Sequence, residues 1–409
     1  MNYKKRLLYL HFILLYSVTL YGQDIPPLDP QAAGMSEARL ERLTDYLNRE
    51  IKEKRLPGAV ALVVRKGATA LYDTYGYKNM EAQVPMQKDQ LFYIQSMTKP
   101  IVSVGIMMLY EQGYFDLDDP VADYLPQFAE MQVEISDEKG TYHVPAESDI
   151  TIAQLLSHTA GLSHGLGSND LEQRYREALY MQEHEDVEAR VSALAEMPLV
   201  GQPGEQWYYS ASPDVLALLI EKFSGMNTAD YLQEHIFDPL GMDDTGYNLV
   251  RNKRSRAVAL HYKDQNGTLG LSPNQTPTSG HSIYGGTHGL FSSADDYLRF
   301  CQMLLNGGEL DGERLLSPKT VELMTANHVG DLFGDDGYGF GLGFYVRTNL
   351  AEAKALGTLG TFGWNGAYNT YFFVDPEEEL IGIMMTQFSP FTNFYKEKFQ
   401  QLVYQAIVD

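Results

Sequence analysis

The pattern of hydrophobic and polar positions predicts a helix and then a pair of strands in the first part of the chain. Apolar residues recur at helical spacing from 36 to 54, and Ser36 is positioned to cap that helix. The following segment, GAVALVVRKGATALYDTYG, has two apolar runs that meet at Lys66-Gly67, a dipeptide that favours a hairpin turn. We therefore expect a helix followed by two antiparallel strands.

Similar patterns return toward the end of the chain. AYNTYFFV and LIGIMMTQ flank the polar turn DPEEE and predict another strand pair, and FYKEKFQQLVYQAIV predicts a final amphipathic helix. Helical patterns dominate the middle of the chain. This distribution predicts an α+β fold, in which a helical lobe of about 96–289 interrupts a lobe formed by about 23–95 and 290–409. We expect a functional site between the two lobes.

One predicted helix carries the first candidate chemistry. After Ser96, the segment TKPIVSVGIMMLYEQG is apolar on all sides, which predicts a buried helix that ends near Gly113. Pro100 is tolerated only near a helix start, so we expect Ser96 in the first turn. The i, i+3 spacing places Lys99 on the same face as Ser96, and a poorly solvated lysine can act as a base.

The motif SMTK is weak by itself, because an N-cap serine beside an exposed lysine has the same spacing. A second Ser-x-x-Lys pattern, Ser136 to Lys139 in EISDEKG, is expected to be a solvated loop. The predicted burial of the helix favours the chemical interpretation of SMTK, since a buried helix should not carry an unpaired lysine without a reason.

A competing nucleophile is Ser163 in GLSHG, which fits the Gly-x-Ser-x-Gly elbow of α/β-hydrolases. That elbow requires a hydrophobic strand before the serine and a helix after it. Here a helical pattern, ITIAQLLSHTAG, precedes the serine, and a polar loop follows it. We therefore interpret GLSHG as a loop that terminates a helix, in which His158 and His164 bond the backbone.

An acylated serine requires a proton shuttle for its leaving group. In WYYSASPDVLALLIEKFSG, Ser212 is predicted to cap a helix that has Pro213 at its first position and ends at Gly225. Tyr208 and Tyr209 then lie in the loop before that helix, where a rigid element can hold a catalytic phenol. The alternative is an aromatic cluster that covers the core.

The acylated serine also requires a second oxyanion donor. In GWNGAYNTYFFV, Gly366 permits the close approach of another backbone where a strand begins. The Ala367 N–H would then face a substrate carbonyl. The alternative is an ordinary glycine-rich entry into a strand.

Composition indicates the domain organisation, and the N-terminal residues indicate the cellular compartment. The chain has 409 residues, 44% of them hydrophobic, and no long Pro/Ser/Gly linker, so we expect one catalytic unit. Lys4, Lys5 and Arg6 precede the apolar run LLYLHFILLYSVTLYG, which predicts a signal peptide over 1–22. The mature chain, 23–409, is expected to be exported, periplasmic or secreted, without stable membrane insertion.

Net charge and reactive side chains disfavour several functions. The formal net charge of −23 makes nucleic acid and anionic membranes unfavourable partners. The single cysteine, Cys301, excludes an intramolecular disulfide and lies in a helical pattern that predicts burial. The ten histidines form no His-Glu-x-x-His or comparable cluster, so we expect neither a metal nor another cofactor.

A family resemblance joins these segments. The chain resembles the serine β-lactamase and penicillin-binding-protein-like superfamily through an ordered set of motifs: SMTK, LLSHTAGL, PGEQWYYSASPDVLALLIE, GGTHGLFSSADDYLRFCQMLLNGGELDGERLLSP, YGFGLGF and GWNGAY. Within it the motifs look most like the class C β-lactamase-related branch, which includes family VIII carboxylesterases. The resemblance covers roughly 30–405. It implies a β-lactamase/transpeptidase-like α+β fold, with an antiparallel sheet flanked by helices and interrupted by a helical lobe.

The resemblance implies catalytic roles for three residues. Ser96 would be the acylated nucleophile, Lys99 its base partner, and Tyr209, from the family's Tyr-x-Asn element, the general acid/base. Literal Tyr-x-Asn triplets at Tyr46 and Tyr77 precede Ser96 and are therefore in the wrong order.

The resemblance also implies a substrate-binding strand. Trp364, Asn365 and Gly366 would occupy the place of the family's Lys-Thr-Gly motif. The backbone N–H groups of Ser96 and Ala367 would form the oxyanion hole.

Two residues depart from the family pattern. Ala211 stands where the second motif normally has Asn, and Trp364 stands where penicillin-binding enzymes have Lys or His. The loss of an amide donor and a cation should weaken the binding of carboxylated β-lactams. A tryptophan instead offers an apolar, stackable wall. Its presence at this place in the motif is similar to the pattern of the family VIII esterases.

The sequence therefore predicts an exported serine hydrolase that acts on a small-molecule ester or acyl substrate, with a carboxylesterase favoured. One alternative is a β-lactamase or a D-Ala-directed peptidase or amidase, which a penicillin would label at Ser96. Another is a non-catalytic sensor of cell-wall fragments or a scaffold, which the joint presence of Ser96, Lys99 and Tyr209 disfavours. Whether Lys99 or Tyr209 takes the first proton is left open by the sequence.

Overall fold

The computed structural model describes residues 25–138 and 140–409. The predicted signal peptide and Lys139 of the second Ser-x-x-Lys pattern lie outside the described residues. The helices are α1 (Glu37–Lys52), α2 (Thr98–Glu111), α3 (Val121–Tyr124), α4 (Ile152–Leu156), α5 (Asp170–Arg176), α6 (Val187–Ala195), α7 (Ser212–Ser224), α8 (Thr228–Leu232), α9 (Asp238–Leu240), α10 (Ala294–Leu305), α11 (Pro318–Met324), α12 (Leu350–Ala353) and α13 (Asn393–Tyr404). The strands are β1 (Gly58–Arg65), β2 (Ala68–Asn79), β3 (Val84–Pro85), β4 (Phe92–Tyr93), β5 (Gln132–Asp137), β6 (Gly140–Pro145), β7 (His261–Lys263), β8 (Leu269–Leu271), β9 (Phe291–Ser292), β10 (Glu309–Leu310), β11 (Glu313–Arg314), β12 (Tyr338–Phe340), β13 (Tyr345–Arg347), β14 (Phe362–Asn365), β15 (Tyr371–Asp375), β16 (Leu380–Thr386) and β17 (Phe388–Ser389).

The predicted hairpin at Lys66-Gly67 is confirmed. The two residues have φ angles of 51° and 72°, so both adopt the left-handed conformation that a tight two-residue hairpin requires. The turn joins β1 and β2 in antiparallel pairing. Every residue of β1 is buried, because the strand lies inside the sheet, and this explains its almost uniformly apolar sequence.

One eight-stranded antiparallel sheet unites the two ends of the chain. Its strand order is β12-β13-β14-β15-β16-β1-β2-β3, so β16 from the C-terminal part pairs directly with β1 from the N-terminal part. The described residues between β3 and β12 contribute no strand to this sheet. They hold most of the helices together with short strand pairs, and the architecture is the expected α+β arrangement of an antiparallel sheet interrupted by a helical segment.

Helices cover both faces of this sheet. On β15, Phe373 packs against Phe399 and Tyr404 of α13. The preceding residue, Phe372, packs against Tyr297 of α10. Successive residues of a strand point to opposite faces, so α13 and α10 lie on opposite sides of the sheet.

The interrupting segment is tied to the sheet by a continuous core. Helices α2 and α7 pack against each other, and α4 and α6 both pack against α7. One large cluster of buried hydrophobic side chains includes residues of these helices and of the sheet. The predicted burial of α2 is confirmed, and Gly113 follows it with a positive φ of 77°.

Two local predictions were wrong. Ser212 is the first residue of α7, and the N-cap is Ala211; the Ser212 hydroxyl is instead hydrogen-bonded to the Ser210 hydroxyl at 2.7 Å. The segment that contains Ser136 is a β-strand, not a loop, because β5 and β6 form a hairpin in which Ser136 faces Thr141. Gly225 ends α7 in the left-handed conformation, as predicted.

No helix among the described residues is long and apolar enough to cross a membrane. Cys301 is buried inside α10, as its sequence pattern predicted.

Candidate active site

Ser96 lies in a short 3-10 turn, Gln95–Met97, that leads directly into α2. The prediction placed it in the first turn of the α-helix, and the observed helix begins two residues later, at Thr98. Gln95 has a positive φ of 49°, so the chain turns sharply just before the serine. Ser96 is half-buried, so the residue is partly open to solvent.

The Lys99 side chain is directed at the Ser96 hydroxyl. Its Nζ lies 3.2 Å from Ser96 Oγ and donates a hydrogen bond to the Thr287 carbonyl at 2.9 Å. Lys99 is only 2% exposed, and this burial lowers the pKa of its ammonium to about 7. Asp214 opposes the shift and Arg190 reinforces it. Near neutral pH a large fraction of Lys99 is therefore the uncharged amine, which can accept a proton.

Tyr209 approaches the same hydroxyl from the loop before α7. Its phenol donates a hydrogen bond to Ser96 Oγ at 2.7 Å, and Lys99 Nζ lies 4.5 Å from its ring centre. Burial raises the pKa of Tyr209, while its hydrogen bond with Ser96 acts in the opposite direction. The neighbouring Tyr208 instead donates to Glu172 at 3.0 Å. The fold thus directs one of the two candidate phenols to Ser96.

Trp364 forms an aromatic wall beside Tyr209. It lies on β14 and is 7% exposed, with its ring 5.6 Å from that of Tyr209 and 5.2 Å from that of Phe340. Asn365 is the next residue on the strand, and it lines a cavity of about 940 Å³ to which Trp364, Trp207 and Gln400 also contribute.

Gly366 provides the close backbone approach that the sequence predicted. A Cβ at this position would overlap the carbonyl oxygen of Ile94 and the hydroxyl of Thr370. Ile94 precedes the Ser96 turn by one residue, so only glycine lets the end of β14 pack against that turn. Ala367 is exposed in the bend that follows.

The GLSHG segment is a loop after α4, as predicted, and Ser163 is buried within it. The Ser163 hydroxyl donates to Glu172 at 2.6 Å and accepts the Gly165 N–H at 3.0 Å. No strand directly precedes this serine, because the chain enters the loop from α4. Ser163 is therefore not placed on a nucleophile elbow.

His158 and His164 were predicted to bond the backbone rather than to act in a triad; His158 does accept a backbone N–H, and both rings also have side-chain partners. His158 Nδ1 contacts the Ser210 hydroxyl at 2.9 Å as well as the Ser210 N–H at 3.3 Å. His164 Nδ1 contacts the Tyr180 hydroxyl at 2.7 Å. Both rings pack against Tyr209, with centre distances of 5.0 and 5.4 Å. These partners are distant in sequence, so the local loop pattern could not predict them.

Comparison with known proteins shows the family of this chain. The family model described as Beta-lactamase matches residues 40–405. The chain belongs to this family. An uncharacterized protein of Mycobacterium tuberculosis is 36% identical over 353 residues, which cover 82% of this chain and 86% of the relative. Esterase EstB of Burkholderia gladioli is 30% identical over 390 residues, which cover 88% of this chain and 93% of the relative.

A solved structure has the same fold as this chain. It is described as EstCE1, a hydrolase with promiscuous acyltransferase activity, and superposes with a TM-score of 0.78. The two chains are 24% identical, and the match covers 92% of this chain and 99% of the EstCE1 chain. The Beta-lactamase family contains esterases and acyltransferases among the relatives of this chain, and the protein is an enzyme of the serine β-lactamase-like hydrolase superfamily.

Two buried charged residues behind the site were not predicted from the sequence. Asp214 on α7 and Arg190 on α6 form a buried ion pair, with Arg190 Nε 2.8 Å from the carboxylate. Asp214 also accepts the Thr287 N–H at 2.8 Å. A carboxylate inside the apolar helix SPDVLALLIE was a signal of the same kind as Lys99, because a buried charge requires a partner.

Proposed function

We propose that this protein is a carboxylesterase that forms an acyl-enzyme on Ser96. The observation that carries the proposal is the convergence of two proton-transfer groups on one hydroxyl. Lys99 Nζ lies 3.2 Å and the Tyr209 phenol 2.7 Å from Ser96 Oγ. A nucleophile and a base within hydrogen-bond reach are the combination that activates a serine.

In the acylation step, Ser96 Oγ forms a bond to the ester carbonyl carbon while its proton passes to Lys99 or Tyr209. Collapse of the tetrahedral intermediate breaks the bond to the alkoxy oxygen, and the same pair returns a proton to the leaving alcohol. Water then attacks the acyl-enzyme, and its proton follows the same route as the acid is released. Because a large fraction of Lys99 is uncharged near neutral pH, it can accept the first proton.

The backbone N–H groups of Ser96 and Ala367 are the proposed oxyanion donors. The proposal is supported by the contact of Gly366 with Ile94, which brings the bend carrying Ala367 close to the Ser96 turn. Backbone donors placed in advance stabilise the developing negative charge without reorganisation.

An uncharged ester is the substrate class that the site favours over a carboxylated β-lactam. Trp364 presents a ring where penicillin-binding relatives would hold a cation, and Ala211 is fully buried and offers no amide. Arg190, a nearby buried cation, is already paired with Asp214. The relative EstB, which shares 30% identity, is named an esterase.

The proposed enzyme is a single catalytic unit over 23–409, exported after removal of 1–22 to the periplasm or the exterior. We propose that it works without a metal, because the Ser96, Lys99 and Tyr209 side chains themselves supply the nucleophile and the proton transfers.

The test compares hydrolysis of p-nitrophenyl butyrate by the wild-type protein and by its Ser96→Ala variant, with nitrocefin measured in parallel. We expect ester turnover in the wild type and a loss of roughly three orders of magnitude or more in the variant. A fluorophosphonate probe should label the wild type at Ser96, as intact-protein and peptide mass spectrometry would report.

Ester turnover that survives Ser96→Ala would rule out Ser96 as the nucleophile. Cleavage of nitrocefin without cleavage of esters would favour a β-lactamase. Absence of both activities, together with no labelling of a correctly folded protein, would favour a non-catalytic binder.

A further inference from the structure

The Arg190–Asp214 ion pair lies behind the candidate site and is almost inaccessible to solvent. Arg190 is 6% exposed and Asp214 is 1% exposed. Arg190 Nε donates to one carboxylate oxygen at 2.8 Å, and a second guanidinium nitrogen donates to the Leu179 carbonyl at 2.6 Å. A buried ion pair contributes little net stability compared with apolar packing, so its presence calls for another physical role.

One chain of contacts leads from this ion pair to Lys99. The second oxygen of Asp214 accepts the Thr287 N–H at 2.8 Å. The carbonyl of the same residue accepts the hydrogen bond from Lys99 Nζ at 2.9 Å. Asp214 therefore holds the backbone unit that aims Lys99 at Ser96.

A second chain of contacts leads from the ion pair to Tyr209. The Arg190 guanidinium lies 4.7 Å from the centre of the Tyr180 ring. The Tyr180 hydroxyl contacts His164 Nδ1 at 2.7 Å, and the His164 ring stacks on that of Tyr209 at 5.4 Å. Tyr209 in turn donates to Ser96. Both proton-transfer groups are thus tied to one anchor.

We propose that Arg190 and Asp214 are positioning residues for the reaction at Ser96: together they hold Lys99 and Tyr209 on the nucleophile and balance the charge around Lys99. The inference rests on the proposed function, because it assigns a role to Lys99 and Tyr209. Neither residue of the pair contacts Ser96 directly, so both act through other groups.

The charges around Lys99 make this proposal testable by pH. The titratable groups that face it are His158 and His164 from the loop after α4, His288 beside Thr287, and Tyr209, in addition to the ion pair. Burial lowers the pKa of each of the three histidines, to about 4 for His288, so none gains or loses charge near pH 7. Tyr209 is also uncharged there, because burial raises its pKa.

The fixed charges that remain are those of Arg190 and Asp214, and they act on Lys99 in opposite directions. The reactive form of Lys99 is the neutral amine, so reactivity rises as pH increases through the Lys99 pKa. Asp214→Asn removes the charge that favours the ammonium. In a plot of the rate of Ser96 labelling against pH, this change moves the acid limb to lower pH. Arg190→Gln removes the charge that disfavours the ammonium, which moves the limb to higher pH. We expect each displacement to be about one pH unit.

The experiment measures the second-order rate constant for labelling of Ser96 by a fluorophosphonate probe between about pH 5 and about pH 10. Labelling reports activation of the serine and does not depend on which ester is the substrate. The double variant Arg190→Gln/Asp214→Asn should return the limb close to its wild-type position, because both charges are absent. Tyr180→Phe should slow labelling without moving the limb, because it removes only the contact with His164.

Arg65→Gln is the matched control. Arg65 is also a buried arginine in ion pairs, with Glu378 and Asp409, and it belongs to the sheet rather than to the site. Its replacement should leave the acid limb unmoved. Circular dichroism and thermal unfolding establish which variants are folded, and Arg190→Lys supplies a charge-conserving variant that should retain the wild-type limb.

The inference would be overturned if the acid limb does not move in the folded variants. It would also be overturned if the limb moves in the same direction for Asp214→Asn and Arg190→Gln. Failure of the wild-type protein to be labelled at Ser96 would instead refute the proposed function. If either single variant does not fold, the remaining one and the double variant still decide the direction.

Discussion

At the scale of single residues, chemistry in this protein follows from the surroundings of a side chain rather than from its type. Ser96 and Ser163 are both serines in recognisable motifs. Ser96 Oγ receives Lys99 and Tyr209, whereas the Ser163 hydroxyl is buried against Glu172. The same holds for Lys99, whose burial lowers its pKa to about 7, so that a large fraction of it is an uncharged amine near neutral pH instead of a cation.

Tyr209→Phe tests the phenol at this scale. The change removes the hydroxyl that donates to Ser96 but keeps the ring that packs against Trp364. We expect kcat/KM for p-nitrophenyl butyrate to fall about 10² to 10⁴-fold, the range for loss of a general acid/base. Tyr208→Phe is the control, because its hydroxyl bonds Glu172, and it should retain activity within a few-fold. Equal losses in both variants would contradict the assignment of Tyr209.

At the scale of elements, the loop after α4 links the helical region to the site. A capping box between Thr151 and Gln154 starts α4, and the loop that follows carries His158 and His164 to the ring of Tyr209. Ser163 stabilises this loop through its bond to Glu172. The element that resembles a nucleophile elbow therefore acts as a support for the phenol.

Ser163→Ala tests this interpretation. The Gly165 N–H loses an acceptor and Glu172 loses a donor in a buried place, which should lower the free energy of unfolding by about 1–3 kcal/mol. Chemical denaturation measures that loss, and peptide mass spectrometry after fluorophosphonate treatment should still find the label on Ser96. A folded Ser163→Ala protein that takes up no label would restore Ser163 as the nucleophile.

At the scale of the whole molecule, the site exists only where distant parts of the chain meet. Ser96 and Tyr209 are separated by 113 residues, and Trp364 comes from the sheet strand β14. Pairing of β1 with β16 closes the sheet, and one large hydrophobic cluster continues from the sheet into α2 and α7. The site and the core are therefore expected to be lost together.

Equilibrium unfolding in urea tests this coupling. Both tryptophans, Trp207 and Trp364, lie next to Tyr209, with ring centres 6.1 and 5.6 Å away, so their fluorescence reports on the site. We expect the transitions in fluorescence, far-ultraviolet circular dichroism and Ser96 labelling to coincide, because one core joins the two regions. Fluorescence that changes at a clearly lower urea concentration than circular dichroism would show that the site unfolds on its own.

Much of the fold was predictable because its signals are local. The hairpin at Lys66-Gly67, the buried helix after Ser96 and the strand pair β15–β16 all follow from periodicity and turn residues within short windows. The two local errors arise because each segment has a bonding partner: the Ser212 hydroxyl bonds a neighbouring serine, and the segment of Ser136 pairs with a second strand. Each depends on a partner that propensity does not include.

The sequence by itself determined the family, the α+β fold and the adjacency of Ser96 and Lys99, because motif order and the i, i+3 spacing are properties of the chain. The tertiary structure alone decided that Arg190 and Asp214 form the ion pair behind the site and that the Tyr208 hydroxyl meets Glu172, whereas Tyr209, which the family motif had indicated, meets Ser96. The physical reason is distance along the chain. Contacts between side chains far apart in sequence arise only when packing brings their elements together, and no local pattern encodes them.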